Sequence, residues 1–285
     1  MTAIEAPAPH RTIRIQRTGR RLPLTLHDLR ELWAYHELMF FLVWRDVKVK
    51  YKQTALGAAW AILVPFSQMV VFTLLFNQAL HVKSEYHVPY PLFVFTAMLP
   101  WTYFTSCLSA SSASIVGNQN LITKVFFPRL IIPLAAVVAP VIDFLLAFTV
   151  LVGMFLYYGR APHWHLVVIP AFLGMALLTA FGVGLWLSAL NVRYRDVPFI
   201  VPYLTQIWFF VTPIVYGVTA LKPRTQELIA LNPMAGVIDG FRWAVLGRGL
   251  PHYHVYAVSF GIALGVMLSG IWYFRRVERY FADLI

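Results

Sequence analysis

Charge is what this chain has least of. Only 12% of its 285 residues are Asp, Glu, Lys or Arg, about half the share of an ordinary soluble domain. With 59% hydrophobic residues and a mean hydropathy of +0.67, it has too little polar surface to cover itself in water, so lipid is its expected solvent. Cysteine is nearly absent. Cys107 stands alone, which excludes an internal disulfide and a thiolate metal site, and it reads as a small packing residue. Catalytic signatures are missing as well. The sequence contains no G-x-x-x-x-G-K-[ST] phosphate loop, no G-x-S-x-G elbow and no H-E-x-x-H pair, so ATP hydrolysis by that loop is not expected of this chain. A cleavable signal peptide is not apparent either. The first 22 residues are polar, with Arg11, Arg14, Arg17, Arg20 and Arg21. A twin-arginine signal at Arg20-Arg21 is argued against by His27, Asp28, Arg30 and Glu31 just after it. Residues 1–24 read as a basic arm facing anionic headgroups.

Long apolar runs dominate what is present. A bilayer crossing takes about 20 mostly apolar residues, and six segments qualify: 57–80, 91–115, 131–158, 166–190, 198–218 and 256–274. One charged residue, Asp143, lies among them. Backbone polar groups in lipid must be satisfied within the segment, so helices follow. With the N-terminus cytoplasmic, seventeen of the 23 Lys and Arg residues fall on the inner side and six on the outer. That asymmetry places both termini inside and accounts for the net charge of +11 without nucleic acid.

Two further segments are helical but too short to cross. Over 25–44, Thr25 caps a pattern in which Leu29, Leu32, Trp33, His36, Phe40, Val43, Trp44 and Val47 recur at helical spacing. This reads as an amphipathic helix lying in the interface. Within 219–255, Asn232-Pro233 is a helix start and Gly247 a stop. The helix between them is read as partly re-entrant, with a surface amphipathic helix as the alternative, and Asp239 and Arg242, three apart, are expected to pair. The expected fold is thus an all-α membrane protein. One membrane domain, 25–285, has six transmembrane helices, an N-terminal amphipathic interface helix and short re-entrant helices before the last span.

Few residues carry obvious chemistry. His163 with His165, and His252 with His254, are alternate pairs in outer loops with no Cys or carboxylate cluster beside them, so no metal site is expected. Asp143 has no Glu, Lys or Arg in the other spans to pair with, and a hydrogen bond between helices is its expected role over proton relay. Ser106, Ser109, Ser111, Ser112 and Ser114 in the second span suit either close helix packing or a polar path. Aromatics make up 16% of the chain. Trp60, Phe66, Phe72, Trp101, Tyr103, Phe104, Trp208 and Tyr216 are candidates for a passage on which sugar rings stack, or for ordinary lipid-facing positions. Arg45, Lys48, Lys50, Tyr51 and Lys52 cluster at the mouth of the first span. They suit a phosphate-bearing headgroup and also a positive-inside anchor.

The stretch RDVKVKYKQTALGAAWAILVP, residues 45–65, resembles a signature of the type-2 ABC exporter permeases that move polysaccharides: O-antigen, teichoic acid and capsule. The matching positions are Arg45, Asp46, Lys50, Tyr51, Lys52, Leu56, Gly57, Trp60 and Pro65. Asn120-Leu121-Ile122 through Lys124, Phe127, Pro128 and Arg129 is similar to the family's cytoplasmic loop between the second and third spans. Asn191, Arg193, Tyr194, Arg195 and Asp196, then Thr212-Pro213-Ile214 and Asn232-Pro233, follow in family order. The resemblance implies a homodimer in the bacterial inner membrane, with a passage between two six-helix halves. It also implies two copies of a separate cytoplasmic ABC ATPase, which bind ATP and Mg, while this chain binds no cofactor of its own. Asn120, Leu121, Lys124, Phe127 and Arg129 would couple to that ATPase. The substrate implied is a glycan on an undecaprenyl-diphosphate carrier.

Overall fold

The computed structural model describes residues 26–52, 54, 56–79, 81, 88–160, 163–218, 221–247, 252–279 and 281, with side chains from Arg30 onward. The basic arm 1–24, the Thr25 cap and the side chain of Asp28 lie outside that description. Among the described residues all regular structure is helical. Helices α1 (Leu26–Ala34) and α2 (His36–Lys52) occupy the segment expected to be the amphipathic helix. Helix α2 runs two turns beyond the expected end at 44, because the basic residues that look like a flank are still helical and carry Lys50 and Lys52 into the favourable last turn.

The spans follow. Helix α3 (Ala59–Phe72) continues as a π-helical stretch, Thr73–Ala79. Helix α4 is Tyr90–Gly117, and α5 (Gln119–Lys124) is a single short turn after it. Helices α6 (Ile131–Val138) and α7 (Val141–Tyr157) form one crossing element with a kink at Pro140, whose ring leaves a hydrogen bond unmade. Helix α8 (Ile169–Arg193) follows a 3-10 turn, Trp164–Val168. Then come α9 (Val197–Val211), α10 (Pro223–Ala230), α11 (Pro233–Leu246) and α12 (Tyr253–Glu278).

Five of these elements are long and apolar enough to cross a bilayer: 59–79, 90–117, 131–157, 164–193 and 253–278. The expected span at 198–218 differs. Its helix stops at Val211, 15 residues and so roughly 22 Å long against a hydrocarbon core of about 30 Å. Pro213 is the reason. The residue before a proline is driven out of the helical region, and Thr212 is extended (φ −97°, ψ 137°).

Helix α4 is the centre of the bundle, buried along most of its length, with α8 packed along it and α12 along α8. Small residues permit this. A Cβ on Gly182 would meet the Met267 backbone at 2.6 Å, and one on Gly270 would meet the Gly182 carbonyl at 2.3 Å. Gly184 leaves room for Ser111 of α4 in the same way. Gly270→Ala should therefore force α8 and α12 apart and lower stability by roughly 1–3 kcal/mol. Gly153→Ala, where a Cβ meets nothing within 4 Å, should be neutral. Thermal unfolding of the detergent-solubilised protein compares the two.

Helix α11 is buried nearly all round, between α4, α8 and α12, which rules out a surface amphipathic helix. Its ends are as expected. Asn232 caps it by accepting from the Met234 N–H at 3.0 Å, and Gly247 ends it at φ +61°. Asp239 and Arg242 are both buried but serve different neighbours. Asp239 Oδ2 lies 2.8 Å from His252 Nδ1 and accepts from Tyr256 Oη at 3.0 Å, tying α11 to α12. Arg242 donates to the carbonyls of Phe93 (3.4 Å), Pro213 (2.7 Å), Tyr216 (3.1 Å) and Ile214, with its guanidinium 3.7 Å from the Phe93 ring centroid. Carbonyls of the non-helical segment that follows α9 are thus satisfied by a residue from α11.

Candidate functional site

Helix α2 packs along α6 and seats Leu42 in the core, at 2% exposure. Its other face carries Phe40, Phe41 and Trp44, all exposed. Between α2, α4 and the α6–α7 kink lies a cavity of about 380 Å³. Arg45, Asp46, Lys50, Tyr51, Asn118 and Asp143 supply its charged and polar lining, with Ser106 and Ser114 of α4.

Three of the five headgroup candidates converge here. Arg45 donates to Asp46 Oδ1 through Nε (2.9 Å) and Nη2 (2.7 Å). Lys50 Nζ lies 2.5 Å from Asp143 Oδ2, and the Tyr51 hydroxyl donates to Asp143 Oδ1. Lys48 turns away and stacks its ammonium over Trp44 at 5.3 Å, and Lys52 is exposed outside the lining. Asp143 is consequently not the isolated carboxylate that the spans alone suggested. Its partners come from α2, and the kink at Pro140 puts it in the first turn of α7. Burial, reinforced by the Asp143 carboxylate, holds the Tyr51 phenol well above the ordinary tyrosine range. Tyr51 is therefore a hydrogen-bond donor throughout the physiological pH range. The serine stripe divides. Ser106 and Ser114 face the cavity, whereas Ser111 packs on Gly184.

The loop after α4 presents a second feature. Ile122 and Phe127 are buried and anchor it, Leu121 is half-buried, and Asn120 and Lys124 are exposed. Arg129 turns inward, donating to the Glu278 carbonyl and lying 5.9 Å from the Phe281 ring. Between them Phe126 is 95% exposed, with Val125 beside it half exposed. The coupling residue expected from the sequence, Phe127, is thus buried, and the exposed one is Phe126. With two adjacent phenylalanines, the direction of the loop decides which one is outside, and nothing in the pattern signals it.

The aromatic candidates fall into two groups. Trp101, Tyr103 and Phe104 are interior to the chain. Trp101 meets Phe209 edge-on, Phe104 meets Trp208, and the Tyr103 hydroxyl donates to the Val137 carbonyl at 3.2 Å. Cys107, fully buried, donates to the same carbonyl, in keeping with a packing role. Trp208 Nε1 donates to Asn232 Oδ1 at 2.8 Å, Phe72 stacks on Phe209, and Tyr216 is half-buried. Trp60 and Phe66 lie on an exposed face of α3 that also carries Ser67 and Gln68. His163 and His165 stack on each other at 4.8 Å. Among the described residues no three His, Cys, Asp or Glu side chains are grouped to hold a metal.

The family profile described as ABC-2 type transporter matches residues 37–246, nearly three-quarters of the chain. This chain belongs to the ABC-2 type transporter family. The matched stretch takes in α2, the cavity, the Phe126 loop and α11. The chain is 29% identical over 260 residues to the O-antigen export system permease protein RfbA of Myxococcus xanthus, covering 90% of this chain and 98% of that one. It is 27% identical to the protein of the same name from Klebsiella pneumoniae, over 87% of this chain and 95% of that one. It is also 22% identical to the polysialic acid transport protein KpsM of Escherichia coli, over 78% and 83%. As an ABC-2 chain with several apolar crossing helices, it is a multi-pass membrane protein.

Proposed function

We propose that this chain is the permease subunit of an ATP-driven exporter that carries a polysaccharide, assembled on a polyprenyl diphosphate, across the bacterial inner membrane. The observation that carries the reading is the likeness, over about nine-tenths of the chain, to relatives named as O-antigen export permeases. Two geometric features support it. The cavity under α2 brings an ammonium, a guanidinium and a phenol donor together, the donor set that suits phosphate oxygens. The loop after α4 offers an exposed apolar tip with Lys124 nearby, a form suited to docking in a partner subunit. On this reading ATP and Mg are bound by a separate cytoplasmic ATPase, two copies serving two copies of this chain. Both termini face the cytoplasm, as the Lys and Arg distribution favours.

The passage is proposed to draw its aromatics from the exposed face of α3, with Trp60 and Phe66, rather than from the interior Trp101, Tyr103 and Phe104. That face also exposes Gln68, whose amide is costly against lipid tails and at home beside a glycan. No covalent step is needed. Movement comes from the partner's ATP cycle, passed through the Phe126 loop to the bundle. The α10–α11 segment is proposed to sit at the outer exit.

Deleting the gene tests the assignment. Surface polysaccharide should disappear while lipid-linked polymer accumulates in the cytoplasm. Polymer that is never made would point to a biosynthetic enzyme instead, and two normal pools would mean that another cargo is moved.

A further inference from the structure

The charged residues lining the cavity under α2 cancel. Two cations face two carboxylates, Arg45 with Asp46 and Lys50 with Asp143. A site that holds an anion is expected to carry surplus positive charge, so the pairing itself calls for an account. The two pairs are unlike. Arg45 and Asp46 are chain neighbours on one helix and equally exposed, at 36% each, so their attraction is weak and screened. Lys50 and Asp143 join two elements, and they are unequally placed. The Lys50 side chain is 54% exposed and that of Asp143 only 15%. Both carboxylate oxygens are engaged, Oδ2 by Lys50 and Oδ1 by Tyr51. An ammonium and a phenol gripping two oxygens of one anion is also how those side chains would grip two oxygens of a phosphate.

We propose that Asp143 is a resident counter-ion that occupies Lys50 and Tyr51 in the empty transporter and must be displaced by the incoming headgroup, which makes it the residue that sets headgroup selectivity. This rests on the reading of the cavity as the headgroup site. Displacement has a threshold. Asp143 stays behind largely buried and without its cation, which costs free energy whatever the ligand is. A lipid diphosphate, with two or more negative charges, recovers that cost through a stronger Coulombic attraction to Lys50 and Arg45. A phosphodiester headgroup with one charge offers Lys50 little more than the carboxylate it already holds, and is refused. The long flexible stem of Lys50 lets its ammonium change partners without moving α2. Bulk membrane phospholipid is thereby kept out of a site that it surrounds.

The test uses the purified complex of this chain with its ATPase in phosphatidylcholine nanodiscs, titrated with farnesyl diphosphate and, separately, with short-chain phosphatidylglycerol. Asp143→Asn, which keeps an acceptor for Tyr51, should tighten phosphatidylglycerol binding about tenfold or more and narrow the preference for the diphosphate. Lys50→Gln should weaken diphosphate binding by about the same factor, and adding Asp143→Asn to it should recover only part of the loss, since that frees Tyr51 and removes a like charge but does not replace the ammonium. If farnesyl diphosphate does not bind the unaltered complex, or binds Lys50→Gln and Arg45→Gln as well as the parent, the headgroup reading falls and this inference with it. If Lys50→Gln weakens binding but Asp143→Asn leaves both affinities within about twofold, or weakens them, the counter-ion inference alone is overturned. Asp143→Ser is the second variant. Should neither Asp143 variant assemble, the inference is also overturned, because a contact the fold cannot lose cannot be surrendered at each binding event.

Discussion

Replacing Phe126 with Asp is expected to abolish export while the membrane fold stays intact. Phe126 is 95% exposed, so nothing in this chain loses packing when it is changed. The loop that carries it is held from behind by Ile122 and Phe127, both buried, and by Arg129 on the Glu278 carbonyl. An aromatic side chain held out on a rigid support is the usual form of an interface anchor, and truncating such an anchor costs about 2–4 kcal/mol, or roughly 30- to 1,000-fold in affinity. Asp goes further, because it places a charge in the partner's apolar pocket. Co-purification of the ATPase should drop by at least the lower of those factors for Phe126→Ala and become undetectable for Phe126→Asp, with unchanged thermal unfolding of the permease. Charge reversal at Lys124, an exposed rim position, should cost far less. A Phe126→Asp chain that retains its ATPase at the parental level would show that coupling uses another surface.

Replacing Arg242 with Met is expected to destabilise the chain by about 1–3 kcal/mol for each buried carbonyl left unpaired, enough to remove most folded protein from the membrane. Arg242 is 1% exposed, and its guanidinium supplies donors to Phe93, Pro213, Ile214 and Tyr216. Met fills much the same volume, so packing is nearly preserved and the loss isolates the orphaned carbonyls. Arg242→Lys should rescue little. An ammonium presents three donors from one point and cannot both reach the separate carbonyls and lie flat on Phe93. Tyr90→Phe, which removes only the hydroxyl that donates to the Val215 carbonyl at 2.8 Å, should cost about 1 kcal/mol. Expression and thermal unfolding of the three variants give the ranking. Near-equal behaviour of Arg242→Met and Tyr90→Phe would contradict the idea that Arg242 holds the segment that follows α9.

Some of this could be read from residues alone, and the reasons are local. A run of apolar residues in lipid has one backbone solution, so spans such as 91–115 and 166–190 were legible to within a few positions. Asn232-Pro233 and Gly247 mark the ends of α11 because capping chemistry depends on the residues at the cap itself. What was not legible depends on partners distant in sequence. Asp143 is 92 and 93 positions from Tyr51 and Lys50, and no periodicity connects them. Arg242 looked like the partner of Asp239, since residues three apart share a helix face, but burial on every side of α11 gave each a different neighbour. Helix α9 was read as continuing to 218 because hydropathy is blind to the hydrogen bond and the conformational space that Pro213 removes. The aromatics of α4 could not be sorted into passage and core because a helix buried along most of its length presents every face to protein.

The central claim is that this chain forms the path by which a lipid-linked glycan leaves the cytoplasmic leaflet. Inverted membrane vesicles, which turn that leaflet outward, test it most directly. The vesicles carry this chain and its ATPase, a labelled lipid-linked glycan is loaded into the outer leaflet, and a glycosidase is added outside after ATP. The account predicts that ATP makes the glycan resistant to the enzyme, and that vesicles lacking this chain leave it fully digestible. Protection that is equal with and without this chain, or glycan that stays digestible when chain, ATPase and ATP are all present, would contradict it.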